Sequence, residues 1–178
     1  LSVNYDTDRP HRVHAIVNYL TEYFRIDLIS RVYTSPRGIY CEGSRPFPLP
    51  PAVNYLPVRV EGFPFSFNIA AHARSMVDCV ETMNKRYDLC LAGDPISGLA
   101  AALLQSRNVV RTYIYDDIDY FPGFYGHSVG RKVVEYAEEV AIDNAALVLC
   151  VSETLRTKRL QTRTDEDKFR VIRNGSFL

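Results

Sequence analysis

Apolar positions along this chain switch repeatedly between two spacings: short continuous or alternating runs, and longer runs recurring every three to four residues. The first kind predicts strands and the second amphipathic helices. Leu1–Tyr5 reads as a strand. Asp8 supplies a helix cap, and Pro10 suits a first helical turn. Val13, Ile16, Val17, Leu20 and Phe24 then share one helical face, and Arg25–Ser30 predicts a second strand. Pro36, Gly38, Pro46, Pro48, Pro50, Pro51 and Pro57 break residues 34–57, which read as an excursion leading into a strand at Tyr55–Val60.

The same rhythm continues to the end. Ile69, Ala73, Met76, Val77, Val80 and Met83 mark a helical face, followed by a strand at Asp88–Ala92. Ile96, Leu99, Ala100, Leu103 and Leu104 mark the next helix, and Val109–Tyr115 the next strand. Val133, Val134, Ala137, Val140 and Ala141 form another helical face before Ala146–Val151, which is continuously apolar, as a strand covered on both faces should be. Ser152 caps a short helix with Leu155 and Leu160 inward, and Phe169–Ile172 is the last strand. The expectation is a three-layer, Rossmann-like α/β domain: a mostly parallel sheet of about seven strands with helices on both faces.

In such sheets ligands gather beyond the carboxyl ends of the strands. Asp94, Asp116 and Asp117 each follow a predicted strand and are expected on one rim. Tyr5 and Asp6 reach it from the first strand, and Ser152 and Glu153 from the sixth. Asp116 and Asp117 are the candidate catalytic residues, as acceptors or bases toward a substrate hydroxyl. The ordinary reading is a strand end with solvated charges.

Asp117-x-Asp119 also has the D-x-D form of a metal site for a sugar nucleotide, but three letters recur by chance, and no metal site is assigned. Asp94 and Ser97 open a helix whose free N–H groups could receive an anion; the alternative is an ordinary capped start. Arg9 and Arg12, in the first strand-to-helix turn, could hold phosphate or simply be solvated. Tyr120 belongs to an aromatic stretch where sugars could stack, as could any core. His127 is the histidine nearest the acidic rim, whereas His14 and His72 read as surface or half-buried helix residues.

Composition narrows the field. A chain of 178 residues with zero formal net charge lacks the basic excess of a nucleic-acid binder. No run approaches the roughly 20 apolar residues that cross a bilayer. Cys41, Cys79, Cys90 and Cys150 form no C-x-x-C pair, which points to a reduced intracellular chain. Neither G-x-G-x-x-G after the first strand nor a P-loop motif occurs.

Two segments carry a resemblance: Glu138–Leu155, with its acidic, alanine-containing helix and an apolar strand ending V-S-E-T-L, and Lys168–Gly175, KFRVIRNG. Together they resemble the amino-terminal half of a family 4 glycosyltransferase of the GT-B fold, and the order of elements extends the likeness over nearly the whole chain. The resemblance implies that residues 1–178 are the acceptor-side domain of a two-domain, retaining enzyme. Its nucleotide-sugar donor would sit on a carboxy-terminal domain that this chain does not contain, so the chain alone would be inactive. It implies a sugar or glycolipid acceptor, no required metal or other cofactor, and a cytoplasmic protein, free or peripheral to a membrane.

Two positions depart from the family pattern. Asp6 to Pro10 replace a glycine pair in the first turn, and Tyr115-Asp116-Asp117 replaces a histidine after the fifth strand. The Pro-rich segment 36–57 is where such proteins build acceptor or membrane contacts; its ordinary reading is a variable surface loop. The competing reading of the whole chain is a non-catalytic Rossmann-like module for an anion or a protein partner.

Overall fold

The computed structural model describes residues 12–33, 49–60, 68–124 and 129–173. In chain order these form α1 (Arg12–Leu20), β1 (Ile26–Tyr33), β2 (Val53–Val60), α2 (Ile69–Thr82), β3 (Tyr87–Ala92), α3 (Pro95–Ser106), β4 (Val110–Asp117), α4 (Val129–Asn144), β5 (Leu147–Cys150), α5 (Glu153–Leu160) and β6 (Phe169–Val171). Short 3-10 turns at Phe121–Phe124 and Glu166–Lys168 precede α4 and β6.

Every strand pairing is parallel, as the alternation of elements requires. The described strands, however, make two sheets, β1-β2 and β3-β4-β5-β6, and not one sheet of about seven. The strand expected at Leu1–Tyr5 lies outside the described residues. The two sheets meet through side chains. Tyr87 Oη donates to Asp27 Oδ2 at 2.8 Å, and Lys85 pairs with the same carboxylate at 3.0 Å. Burial works against the Asp27 charge, but Asn54, Tyr87 and Lys85 outweigh it and hold the carboxyl below its ordinary value.

Alternation along β1 distributes the helices. Leu28 packs with Val13 and Val17 of α1, while its neighbour Ile29 packs with the main core and with Val58 and Val60. Helices therefore cover both faces. α3 packs against α2 and α4 over the four-stranded sheet. The core there is built from Tyr113, Tyr115, Val148 and Phe169 on the strands and Ala100, Ala101, Leu104, Val134, Ala137 and Ala141 on the helices.

The sequence reading of α1 overran its end. The chain turns after Leu20, where the Tyr23 and Phe24 amides both bond the Leu20 carbonyl, and Phe24 is exposed. α2 and α3 both finish on asparagines in the left-handed region, Asn84 at φ 50 and Asn108 at φ 57, a backbone that asparagine tolerates better than most residues. Among the described residues no helix is long and apolar enough to cross a membrane.

Gly98 shows how tightly α3 is packed. A Cβ there would lie 2.3 Å from Ala141 Cβ and 3.0 Å from Tyr115 Cε2. Gly98→Ala should gain about 1 kcal/mol of helix propensity and lose about 1–3 kcal/mol to overpacking, with the loss winning because both neighbours are buried. The expected result is a lower urea midpoint at unchanged slope; an equal or higher midpoint would show that α3 and α4 can move apart.

Candidate functional site

The parallel register brings the strand ends together. Ala92 is opposite Tyr115, Asp116 opposite Leu149, and Asp117 opposite Cys150. Asp94, Asp116, Asp117 and Ser152 therefore gather at one carboxyl edge. Asp116 and Asp117 are the last two residues of β4 and do not follow it, so they alternate like any strand pair and face opposite sides of the sheet. Both are fully buried.

Each aspartate has its own arginine. On one side, Arg12 of α1 grips Asp116 bidentately, with Nε 2.9 Å from Oδ2 and Nη2 2.8 Å from Oδ1, while its Nη1 donates to the Ile172 carbonyl beyond β6 at 2.8 Å. On the other side, Arg159 of α5 grips Asp117, with Nε 2.7 Å from Oδ2 and Nη2 2.9 Å from Oδ1. Arg159 Nη1 also donates to Glu138 Oε2 of α4 at 2.6 Å. Neither aspartate has a carboxylate oxygen facing solvent.

Two buried carboxylates on one arginine leave an excess negative charge. Burial raises the Glu138 carboxyl to about 7, the Asp117 charge adds to the rise, and Arg159 opposes it. Asp117 is raised for the same first reason. A backbone hydrogen bond from Phe121 also opposes the rise in Glu138, by less than burial adds to it. Cys150, with its Sγ 3.9 Å from Asp117 Oδ2, has its thiol pushed up to about 12, by burial first and then by that charge, so it behaves as an apolar residue.

Asp94 closes the start of α3. Its Oδ1 accepts from the Ile96 and Ser97 amides at 2.8 and 3.0 Å, and the Ser97 hydroxyl accepts in return from the Asp94 amide at 3.1 Å. This capping box uses the amides that an anion would need. The remaining Asp94 oxygen accepts from Arg31 Nη2 of β1 at 2.8 Å.

Further out, Ser152 caps α5 by accepting from the Leu155 amide at 3.1 Å. Glu153 is exposed on the first turn of α5. Tyr120 is half-buried, with Lys158 Nζ 3.5 Å from its ring centre. Glu153, Thr154, Thr157, Lys158 and Gln161 line an open concavity of about 550 Å³ along α5. Asp119 is exposed and accepts from the Tyr120 amide, so the two ends of the D-x-D are in different environments. Among the described residues no group of three His, Cys, Asp or Glu is arranged to hold a metal ion. Asp6, Arg9 and His127 lie outside the described residues.

His14 and His72 are buried, against the sequence reading. They are buried along with Val13 and Val17 of α1 and with Ile69, Ala73 and Met76 of α2. The ion-pair partners Arg31, Glu138 and Arg159 escaped sequence reasoning. A buried arginine is a charged letter within a strand or helix pattern, and only the fold reveals the carboxylate it meets.

No protein-family profile matches the chain, and no curated protein matches its sequence. Solved structures do. A sucrose-phosphate synthase structure from Thermosynechococcus elongatus is similar over 93% of this chain and 87% of that one, at a TM-score of 0.56 and 16% identity. At that identity the likeness shows a shared parallel α/β fold.

Two outcomes follow from the buried triad. Arg159→Met, which leaves Asp117 and Glu138 buried without their cation, should lose about 3–5 kcal/mol in urea unfolding; a loss near zero would mean that water replaces the guanidinium. The second concerns pH. The folded Glu138 value lies above the ordinary 4.5, so between about pH 4.5 and 7 the folded chain holds a proton that the unfolded chain has released. Stability from this group therefore falls as pH rises through that window and is level above it, at no more than about 1.4 kcal/mol per pH unit. Glu138→Gln should remove that slope relative to wild type; parallel stability curves for the two proteins would refute the assignment.

Proposed function

We propose that this chain is the acceptor-side domain of a nucleotide-sugar-dependent, retaining GT-B glycosyltransferase, inactive by itself. The observation that carries the reading is the convergence of Asp94, Asp116, Asp117 and Ser152 on the carboxyl edge of a parallel α/β sheet, where such folds bind ligands. Fold alone does not name a function. The V-S-E-T-L and K-F-R-V-I-R-N-G segments add the family resemblance, and the fold shared with a sucrose-phosphate synthase is compatible with it.

On this reading a sugar or glycolipid acceptor lies over the edge, and a second domain brings the nucleotide sugar across a cleft. Asp116 and Asp117 act as positioning residues. They fix Arg12 and Arg159, and so α1 and α5, around the acceptor. Direct contact with a substrate hydroxyl requires one of those pairs to open. Ser152, Glu153 and Tyr120, with the concavity along α5, belong to the same edge and can offer hydrogen bonds and a ring. Asp6, Arg9 and His127 belong to the proposal by sequence position only. The absence of a metal or other cofactor requirement, and a cytoplasmic or membrane-peripheral location, remain part of the same proposal.

The engagement of both β4 aspartates favours a second reading, a non-catalytic Rossmann-like module for an anion or protein partner. The parent gene separates the two: a downstream domain with a glutamate pair supports the transferase, whereas a stop codon directly after Leu178 supports the module. For the first reading, the purified chain should release no nucleotide from UDP-, GDP- or ADP-sugars, with or without sugar acceptors. Sustained release by the chain alone would overturn its assignment as half of a cleft.

A further inference from the structure

At the carboxyl edge one arginine is only partly used by its ion pair. Arg31, on β1, is 7% exposed, and only its Nη2 is engaged, by Asp94. Its Nε and Nη1 are buried with no hydrogen-bond partner. That leaves three N–H donors of a guanidinium out of water beside the N-terminus of α3. Buried donors of this kind are strongly disfavoured unless an acceptor reaches them. Arg31 shares its face of β1 with Ile29, which packs into the main core, so its guanidinium is directed toward the α3 side and the candidate edge.

Charge selects the acceptor. Asp94 already balances Arg31 at 2.8 Å and also occupies the positive end of α3. A phosphate or carboxylate brought to Nε and Nη1 would share one arginine with that carboxylate. A second anion there would lie beside the Asp94 charge, and like charges at short range oppose one another. An uncharged oxygen meets no such opposition.

We propose that Arg31, held in place by Asp94, recognises an uncharged hydroxyl oxygen of a polyol ligand. The inference deepens the acceptor-domain reading and rests on it: it makes the acceptor a neutral sugar moiety at this point of contact and not a phosphorylated one. Asp94 has a positioning role, turning Nε and Nη1 toward the ligand while it caps α3.

The test uses the whole chain, labelled with nitrogen-15, and follows the Arg31 Nε–Hε resonance, identified by its loss in Arg31→Lys. Wild-type protein is titrated with D-glucose, D-mannose and D-galactose, and separately with inorganic phosphate at matched ionic strength. The expected result is a saturable shift of the Arg31 signal with at least one sugar and none with phosphate. Asp94→Asn keeps a helix-capping side chain but removes the charge, and should allow phosphate to shift the signal. Phosphate moving the wild-type signal as far as any sugar would overturn the charge argument. A signal that no probe moves would overturn the site, leaving trapped water as the partner of Arg31. Either failure is distinct from failure of the domain assignment, which is read from nucleotide release by the chain alone.

Discussion

The edge of this domain depends on neutralising two consecutive aspartates at the end of its central strand. Strand geometry sends Asp116 and Asp117 to opposite faces, so no single cation can serve both. Arg12 comes from the helix covering one face, and Arg159 from a helix on the other. Removing either arginine would strand a buried carboxylate, which is far more unfavourable than losing a surface pair. The pairs therefore tie α1, α4, α5 and the segment after β6 to the same two residues of β4.

Apolar packing and this polar edge divide the structural work. Beneath the edge, Tyr113, Tyr115 and Val148 face small residues of α3 and α4, and Gly98 lets α3 approach Ala141. Close packing there leaves little freedom for the helices to slide. At the edge, hydrogen bonds with fixed directions set where α3 and α5 begin: a capping box at Asp94 and a serine cap at Ser152. The result is a rigid rim whose charges are largely spent on one another. Such a rim suits recognition by shape and by hydrogen bonds better than attraction by net charge. The concavity along α5 is its open position, and the buried donors of Arg31 are polar groups left unspent.

Joining the two sheets through side chains has a consequence for this rim. Asp27, Tyr87 and Lys85 hold β1 to β3 at the amino ends of the strands, and Arg31 with Asp94 holds them at the carboxyl ends. The second contact lies inside the candidate site. Any group that competes for Arg31 thus acts on a polar tie between the sheets, and binding there is coupled to how β1 and β2 sit against the rest.

The pattern of apolar positions determined most of the fold by itself. Alternating strands and helices, the all-parallel pairing they impose, the serine cap of α5 and the aspartate start of α3 are local or periodic properties, written in neighbouring residues. The same periodicity placed Asp94, Asp116 and Ser152 at one edge, because parallel strands present all their carboxyl ends together. Tertiary structure alone decided what those residues do there. Whether Asp117 faces solvent or Arg159, 42 positions away, depends on how the crossover from β5 to β6 seats α5 so that its arginine reaches the end of β4. The burial of His14 and His72 and the division of the described strands into two sheets are likewise outcomes of packing between distant segments. A charged letter reads the same in sequence whether it ends in water or in a buried pair, since the difference lies in the dielectric and the partner that the folded chain supplies.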